Sequence, residues 1–306
     1  MSRILLLGCQ GQVGWELQRA LAPLGELISL DRYGRDELCG DLTNLKELAN
    51  SIRRLTPDII VNAAAYTAVD KAESEPELAQ RINAEAPAVL AHEAAQLGAL
   101  FVHYSTDYVF DGSGTQPWRE EDLPAPLSIY GHSKRAGEDA ILASNAHALI
   151  FRTSWVYAAR GNNFAKTMLR LARERDALRV IDDQRGAPTG ADLIADVTAH
   201  AVRQWQNTPL AQRKALSGLY HLAAAGETSW CEYARFVLND AEQRQLSLNV
   251  RAAQIEAIPT QAYPTPAPRP LNSRLNTHKL RATFNLTLPD WQIGVTRLLA
   301  EITELR

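Results

Sequence analysis

The sequence predicts an α/β protein with a doubly wound parallel sheet and a smaller, interleaved second α/β region. Short apolar runs alternate with helical patterns through residues 1–150, which is the rhythm of a parallel sheet covered by helices. A glycine triplet follows the first apolar run, where such a sheet opens its first helix. Beyond residue 150 the spacing becomes less regular, and this predicts the second region.

The elements of the first half follow from hydrophobic periodicity. Each predicted strand is a short apolar run, and each predicted helix has apolar residues three or four positions apart. In chain order they are strand 3–8, helix 12–22, strand 27–31, helix 44–55, strand 58–65, helix 75–98, a strand with its exit loop at 99–110, helix 131–143 and strand 148–157.

The second half contains fewer strands and one proline-rich connection. Its predicted elements are helix 163–175, strand 178–182, helix 191–205, strand 219–224, a helix from Ser229, an extended segment at 259–273 and short helices that end at 290–305. The extended segment contains five prolines, which cannot continue a helix.

The composition excludes several classes of protein. The 306 residues carry a net charge of −3 and are 46% hydrophobic, so neither a nucleic acid nor a membrane surface is an expected partner. No signal peptide or membrane span is evident, and we expect a cytoplasmic location. The three cysteines are odd in number and far apart, which favours reduced thiols.

A dinucleotide site is predicted by Gly8, Gly11 and Gly14, which lie between the first strand and first helix. Glycines here let the backbone approach a pyrophosphate, and the helix N-terminus offers free N–H groups through Gln12 and Val13. A tight structural turn is the alternative. The spacing GxxGxxG differs from GxGxxG and points away from Rossmann proteins of the lactate dehydrogenase type.

The end of the second strand bears on cofactor choice. Asp31 favours the free 2′-hydroxyl of NAD, whereas Arg32 can pair with the 2′-phosphate of NADP, so NADPH and NADH both remain candidates. Asp41 and Leu42 could flank the adenine, although an aspartate that caps the next helix is an equal alternative.

Three small residues, Ala63, Ala64 and Ala65, follow the third strand and leave room for a cofactor to cross the strand ends. Close helix packing would also explain them. We therefore predict a Rossmann-like NAD(P)-binding domain at 1–150, rejoined by about 177–205, and a substrate-binding region at 151–176 and 206–306.

The spacing of Tyr130 and Lys134 places two polar side chains on one helix face. Chance alone yields a YxxxK motif in about one chain of this composition in six, so the motif indicates a site only if its position in the fold supports one. Thr106 ends the fourth strand just upstream, where parallel sheets bind ligands. A ketone that receives hydride needs a proton, which Tyr130 could supply if its pKa falls toward neutrality under the charge of Lys134. The alternative is a solvated helix face beside a turn threonine.

Five segments carry a resemblance to a known family. The motifs "STDYVFDG", "YGHSK", "RTSWVY", "GAPTG" and "RPLNSRL" resemble the extended short-chain dehydrogenase/reductases and, within them, the dTDP-4-dehydrorhamnose reductase family, over nearly the whole chain. The resemblance implies NAD(P)H-dependent reduction of the 4-keto group of dTDP-4-dehydro-L-rhamnose to dTDP-L-rhamnose, a donor for cell-surface polysaccharide.

The resemblance also implies residue roles. Lys134 would hold the nicotinamide ribose, and Thr106, Asp107, Tyr130 and Trp155 would meet the substrate. Asp107 could equally be a turn former, and Trp155 a buried core aromatic.

Further implications concern the nucleotide, metal and assembly. The loop 186–190 and the segment from Arg269 to Asn272 would reach the nucleotide diphosphate, although linker arginines such as Arg269 are usually solvated. Asp192 and Glu301 lie in regions resembling Mg²⁺ ligands between subunits, so the metal stays unknown and a homodimer is an expectation. His103 is interpreted as a packed core residue.

Two rival functions share these features. A nucleotide-sugar dehydratase would have glutamate after Asp107, where this chain has Tyr108. Other nucleotide-sugar reductases and epimerases share the fold. A non-catalytic regulatory subunit resembling that of methionine adenosyltransferase would bind cofactor without turnover.

Overall fold

The computed structural model describes residues 1–304 and contains a main sheet with several two-stranded ribbons. The strands are β1 (Arg3–Leu7), β2 (Glu26–Leu30), β3 (Ile59–Asn62), β4 (Leu100–Thr106), β5 (His147–Thr153), β6 (Val156–Tyr157), β7 (Arg179–Ile181), β8 (Arg185–Gly186), β9 (Thr189–Gly190), β10 (Gly218–His221), β11 (Thr228–Ser229) and β12 (Glu256–Ile258).

Helices cover both faces of the main sheet and build the second region. They are α1 (Gln12–Leu21), α2 (Leu45–Leu55), α3 (Val69–Ala72), α4 (Pro76–Gln80), α5 (Ala86–Leu97), α6 (Ile129–Ala143), α7 (Phe164–Glu174), α8 (Ala191–Asn207), α9 (Trp230–Gln243), α10 (His278–Phe284) and α11 (Trp291–Glu304). The predicted end of the last helix at Leu305 lies outside the described residues.

The main sheet has six parallel strands in the order β10, β5, β4, β3, β1, β2. The predicted doubly wound α/β class is confirmed. Strand alternation distributes the side chains of β1 between two cores: Ile4 and Leu6 pack on the α1 and α8 face, and Leu5 and Leu7 on the α2 and α5 face. All four are buried, so the sheet is covered on both sides.

A third core belongs to the second region. It joins α7, α9 and α11 through buried residues such as Leu169, Val237 and Leu298. The ribbons β12 with β7 and β11 with β8 border this core.

Strand β10 completes the main sheet by pairing with β5, although it lies within the 206–306 segment assigned by sequence to the substrate region. Conversely, β7 lies within the segment predicted to rejoin the first domain but pairs with β12. The chain therefore passes between the two regions more often than the predicted division has it, and the domain boundaries stay a prediction.

The predicted helix 75–98 is interrupted by a π-helical turn at Arg81–Glu85. Pro87 lacks an N–H and its ring would clash with the carbonyl of Asn83, four residues earlier, so the regular ladder cannot continue there. The freed Asn83 carbonyl lies against Gly137 of α6, where a Cβ atom would sit 2.1 Å from this oxygen. The interruption thus fixes how α6 docks on the sheet.

No helix among residues 1–304 is long and apolar enough to cross a membrane. The three cysteines are unpaired, as expected.

Candidate active site

A cavity of about 850 Å³ opens at the carboxyl edge of the main sheet. Parallel strands end together at this edge, which brings loops distant in sequence to one place. The sequence-predicted residues that line it are Gly8, Gly11, Gln12, Val13, Arg32, Asp41, Leu42, Ala63, Ala64, Ala65, Thr106, Asp107, Tyr130, Lys134 and Trp155. Gly14 and Asp31 lie outside this lining.

The glycine loop brings its backbone against β3. Gly8 has φ +80°, and a Cβ atom there would lie 2.6 Å from the backbone nitrogen of Ala64. Gly14 acts by packing, because its Cβ would lie 2.1 Å from the Gly8 carbonyl oxygen. No side chain caps the N-terminus of α1. The loop therefore leaves free N–H groups and a narrow cradle that fit a dinucleotide pyrophosphate.

Polar groups around this cradle differ in their engagement. The buried Oε1 of Gln12 has no hydrogen-bond partner, which also suits a bound ligand. The Asp31 carboxylate accepts from the Tyr33 N–H at 2.8 Å, while Arg32 lines the cavity. Asp41 accepts from the backbone and hydroxyl of Thr43 at 2.9 and 2.8 Å and lines the cavity. The alternative that Asp41 caps the next helix is wrong, because Asn44 is the N-cap of α2.

Thr106, Tyr130 and Lys134 meet at the ends of β4 and α6. Thr106 Oγ1 donates to Asp107 at 3.0 Å and accepts from the Tyr108 N–H at 3.2 Å, which fixes its rotamer. Ser128 caps α6 by accepting from the Gly131 N–H at 3.2 Å, so Tyr130 stands in the first turn of this helix.

The pKa of Tyr130 in the structure differs from the lowered value expected beside Lys134. Burial raises the pKa of Tyr130 to about 12, and a hydrogen bond with Thr106 opposes this only in part. Lys134 Nζ lies 2.6 Å from the Tyr104 carbonyl oxygen and 3.2 Å from His103 Nε2. The expected lowering of the Tyr130 pKa by Lys134 is therefore wrong for this geometry, because burial dominates.

Comparisons with known proteins agree over nearly the whole chain. The family described as RmlD substrate binding domain matches residues 1–304. A dTDP-4-dehydrorhamnose reductase of Shigella flexneri is 57% identical over 299 residues, with 98% of this chain and 97% of that protein covered. The chain belongs to the dTDP-4-dehydrorhamnose reductase family. The same enzyme from Escherichia coli K12 is 58% identical over 299 residues, with 98% and 97% coverage. A crystal structure of a dTDP-4-dehydrorhamnose reductase from Bacillus anthracis in complex with NADP has a TM-score of 0.86, 33% identity, and coverage of 98% and 99%.

Asp107 is part of the site in this member of the family. It is buried, and desolvation raises its pKa to about 6, although hydrogen bonds from Ser273 and Thr106 act in the opposite direction. Its carboxyl group is therefore poised to titrate close to neutral pH.

Trp155 adopts a left-handed backbone conformation, with φ +49°, which the sequence does not reveal. Its indole stacks on Trp230 with ring centroids 3.6 Å apart, and a Cβ on Gly186 would lie 2.7 Å from it. The conformation is costly for a bulky residue, and the stack holds it at the cavity wall. This turn also ends the predicted strand 148–157 early.

Sequence reasoning missed several residues of the site. Tyr108 lines the cavity and packs edge-on against Tyr130, with ring centroids 5.6 Å apart. Asn83 Nδ2 donates to Ser133 Oγ at 3.0 Å and so braces α6. The sequence feature that could have indicated the role of Asn83 is Pro87, which lies four positions later and interrupts the helix. His103 is buried, as expected, but its contact with Lys134 was not anticipated.

The residues assigned to the diphosphate lie elsewhere or are already engaged. Arg269 pairs with Asp70 at 2.7 Å and is not part of the cavity lining. In the loop 186–190, Gly186 supports Trp155. Their roles toward the nucleotide stay predictions.

The suggested metal ligands lie on α8 and α11. Asp192 pairs with Arg297 at 3.5 Å. Among the described residues 1–304, no group of three or more His, Cys, Asp or Glu side chains is arranged to hold a metal ion.

Proposed function

We propose that the protein uses NAD(P)H to reduce the 4-keto group of dTDP-4-dehydro-L-rhamnose, giving dTDP-L-rhamnose. One observation carries this proposal: Thr106, Tyr130 and Lys134 line the same cavity as the glycine loop. The chain that brings them together is 57% identical to a dTDP-4-dehydrorhamnose reductase. The enzyme is an NAD(P)H-dependent oxidoreductase.

Tyr130 is the proton donor in this proposal. Because burial keeps the pKa of Tyr130 near 12, the phenol stays protonated at neutral pH and has a proton to give. A developing alkoxide is a stronger base than phenolate, so the transfer is favourable once charge builds on the sugar oxygen. Thr106 would hold the same oxygen and stabilise its charge.

Lys134 supplies positive charge beside the phenolate that remains after the transfer. The residues that would hold the cofactor are the glycine loop, Arg32, Ala63–Ala65 and Lys134, and the bound nicotinamide supplies the hydride. Asp107 and Trp155, which also line the cavity, would position the sugar.

The nature of residue 108 supports reduction over elimination. Tyr108 occupies the position where the rival dehydratases have glutamate, and its pKa is raised far above neutrality by burial, so it offers no base there. The proposal includes a cytoplasmic location, and it keeps the homodimer that the family resemblance implies.

The direct test is to incubate purified protein with dTDP-4-dehydro-L-rhamnose and follow NADPH absorbance. We expect sugar-dependent oxidation and dTDP-L-rhamnose as product. Cofactor that binds without oxidation would favour the regulatory-subunit alternative. Parallel reactions with NADH and with EDTA would establish cofactor preference and metal dependence.

A further inference from the structure

A buried chain of three polar side chains lies behind the catalytic pair. Asn62 and His103 are direct neighbours across β3 and β4, with Asn62 Nδ2 3.2 Å from His103 Nδ1. On the other side of the ring, His103 Nε2 lies 3.2 Å from Lys134 Nζ. The three side chains are at most 2% exposed. We call them the Asn62–His103–Lys134 chain.

The polarity of this chain is set by a backbone group. The Ala64 N–H donates to Asn62 Oδ1 at 3.1 Å, and a backbone N–H can only donate. The Asn62 amide is therefore oriented with its NH₂ group toward His103. Because that NH₂ group is also a donor, His103 Nδ1 has to accept.

This orientation fixes the tautomer of His103. A neutral imidazole has one N–H, so acceptance at Nδ1 leaves the proton on Nε2, which faces Lys134. Burial and the charge of Lys134 both lower the pKa of His103 well below its usual value, so the ring is neutral.

The tautomer acts on Lys134. An ammonium group has three donors and no acceptor. An Nε2–H group that points at Nζ therefore meets another donor, and this disfavours the ammonium form of Lys134. A neutral amine can accept from Nε2–H and still donate to the Tyr104 carbonyl oxygen at 2.6 Å. Desolvation lowers the pKa of Lys134 to about 8, in the same direction.

Other charged groups near Lys134 act differently. Glu138 on α6 raises the pKa of Lys134, but its carboxylate is held by Arg152 of β5 at 2.6 and 2.8 Å and by Arg135 at 3.2 Å. Tyr130 lies one helical turn from Lys134 on α6, and burial keeps it protonated by raising its pKa. Tyr104 of β4 offers Lys134 only its backbone carbonyl oxygen, because its phenol packs in the core on the α1 and α8 face and bonds Thr198 at 2.8 Å. The imidazole is thus the group whose tautomer can change the balance.

We propose that His103 is a positioning residue for Lys134, with Asn62 setting its tautomer, and that the pair disfavours the ammonium form of Lys134. The chain thereby sets the pH above which Lys134 no longer offers its charge to Tyr130. That consequence for turnover rests on the proposed function, whereas the hydrogen-bond polarity does not.

The first test measures the tautomer in the unmodified full-length protein. ¹⁵N-histidine NMR separates the two neutral tautomers, and the seven histidines allow His103 to be assigned by its loss in His103→Phe. We expect the Nε2–H tautomer, unchanged across about two pH units either side of neutrality. An Nδ1–H tautomer or an imidazolium in that range would overturn the proposal.

The second test reverses the polarity. In Asn62→Asp one carboxylate oxygen accepts from Ala64 and the other from Nδ1–H, so Nε2 becomes an acceptor for the ammonium. With only six lysines, ¹³C-lysine NMR can follow Lys134, and we expect its titration midpoint to rise by about one pH unit or more.

A double-mutant cycle separates tautomer from added charge. The rise should shrink by more than about half when Asn62→Asp is combined with His103→Phe, because the imidazole transmits it. An equal rise in both backgrounds, or none in Asn62→Asp, would overturn the proposal. Circular dichroism checks that each variant folds, and the tautomer measurement stands without any variant.

Turnover provides the functional readout. The high-pH limb of kcat/KM should move upward with the Lys134 midpoint in Asn62→Asp. If the protein showed no reductase activity but His103 kept the Nε2–H tautomer, the proposed function would fail and the polarity would stand. An active enzyme with the Nδ1–H tautomer would support the proposed function and overturn the polarity.

Discussion

Tyr130 lies where burial and hydrogen bonding act in opposite directions on one phenol. Burial keeps the pKa of Tyr130 near 12, so its proton is present at neutral pH. Tyr130→Phe removes that proton without removing the ring that packs on Tyr108.

We expect Tyr130→Phe to lower kcat about a hundredfold or more while NADPH affinity changes less than about threefold. Steady-state kinetics and fluorescence titration of NADPH measure the two quantities. A near-wild-type kcat would remove Tyr130 from the proton-transfer step.

Asp107 provides a pH-dependent stability effect. Its folded-state pKa is raised from 3.8 to about 6, so the group favours folding below pH 3.8, and this contribution is lost as pH rises through 6. The side chain of Asp107→Asn does not ionise, so the variant does not lose this stability as the pH rises. We expect the variant to be more stable than wild type at neutral pH by about 1–3 kcal/mol, with the difference vanishing toward pH 4.

Urea denaturation at a series of pH values measures this difference. Asp176→Asn, which removes an exposed carboxylate, is the matched control for the loss of one negative charge. The prediction would be contradicted if the stability of Asp107→Asn relative to wild type were lower at neutral pH than at acidic pH.

The contact between the π-helical turn and α6 controls how α6 is placed. A Cβ atom on Gly137 would meet the Asn83 carbonyl at 2.1 Å, and backbone cannot give way as a flexible side chain would. We expect Gly137→Ala to lower the free energy of unfolding by about 1–3 kcal/mol despite the better helix propensity of alanine.

The same substitution should lower kcat, because α6 carries Tyr130 and Lys134. Chemical denaturation and kinetics test both effects. Leu142→Ala, on the exposed side of α6, should change stability by less than about 0.5 kcal/mol. Unchanged stability in Gly137→Ala would mean that the π-helical turn can shift away from α6 without a measurable cost in free energy.

The elements that the sequence predicted are those with local signals. Strands β1 to β5 follow from short apolar runs, and the cradle follows from glycine spacing. The left-handed Trp155 has no local signal, because its conformation depends on stacking with Trp230, 75 positions later. The π-helical turn had a signal in Pro87, but only knowledge of α6 shows what the turn contacts.

At the scale of the whole molecule, what could not be predicted is which distant segments pair. Tyr130 and Lys134 share a helix, so spacing alone joined them. Asn62 and His103 belong to different strands, and only the parallel register of β3 and β4 makes them neighbours. Strand β10 likewise joins β5 through a register that its short sequence does not encode locally.

This long-range pairing makes the glycine loop depend on the C-terminal half. Leu17 and Leu21 of α1 are fully buried in a core shared with Ile194 and Val202 of α8. Removing α8 and β10 exposes that core and one edge of the sheet. We therefore expect the fragment 1–157, although it contains every predicted cofactor residue, to lack a cooperative thermal transition and measurable NADPH binding.

A fragment 1–225 restores both elements and is the matched comparison. It should recover a cooperative transition, because the α1 face and the β5 edge are again covered, while lacking turnover through loss of the second region. Circular dichroism melting and NADPH titration distinguish the two fragments. If fragment 1–157 bound NADPH within about tenfold of the full chain, the cofactor half would be an independent folding unit, and coupling through α8 and β10 would be refuted.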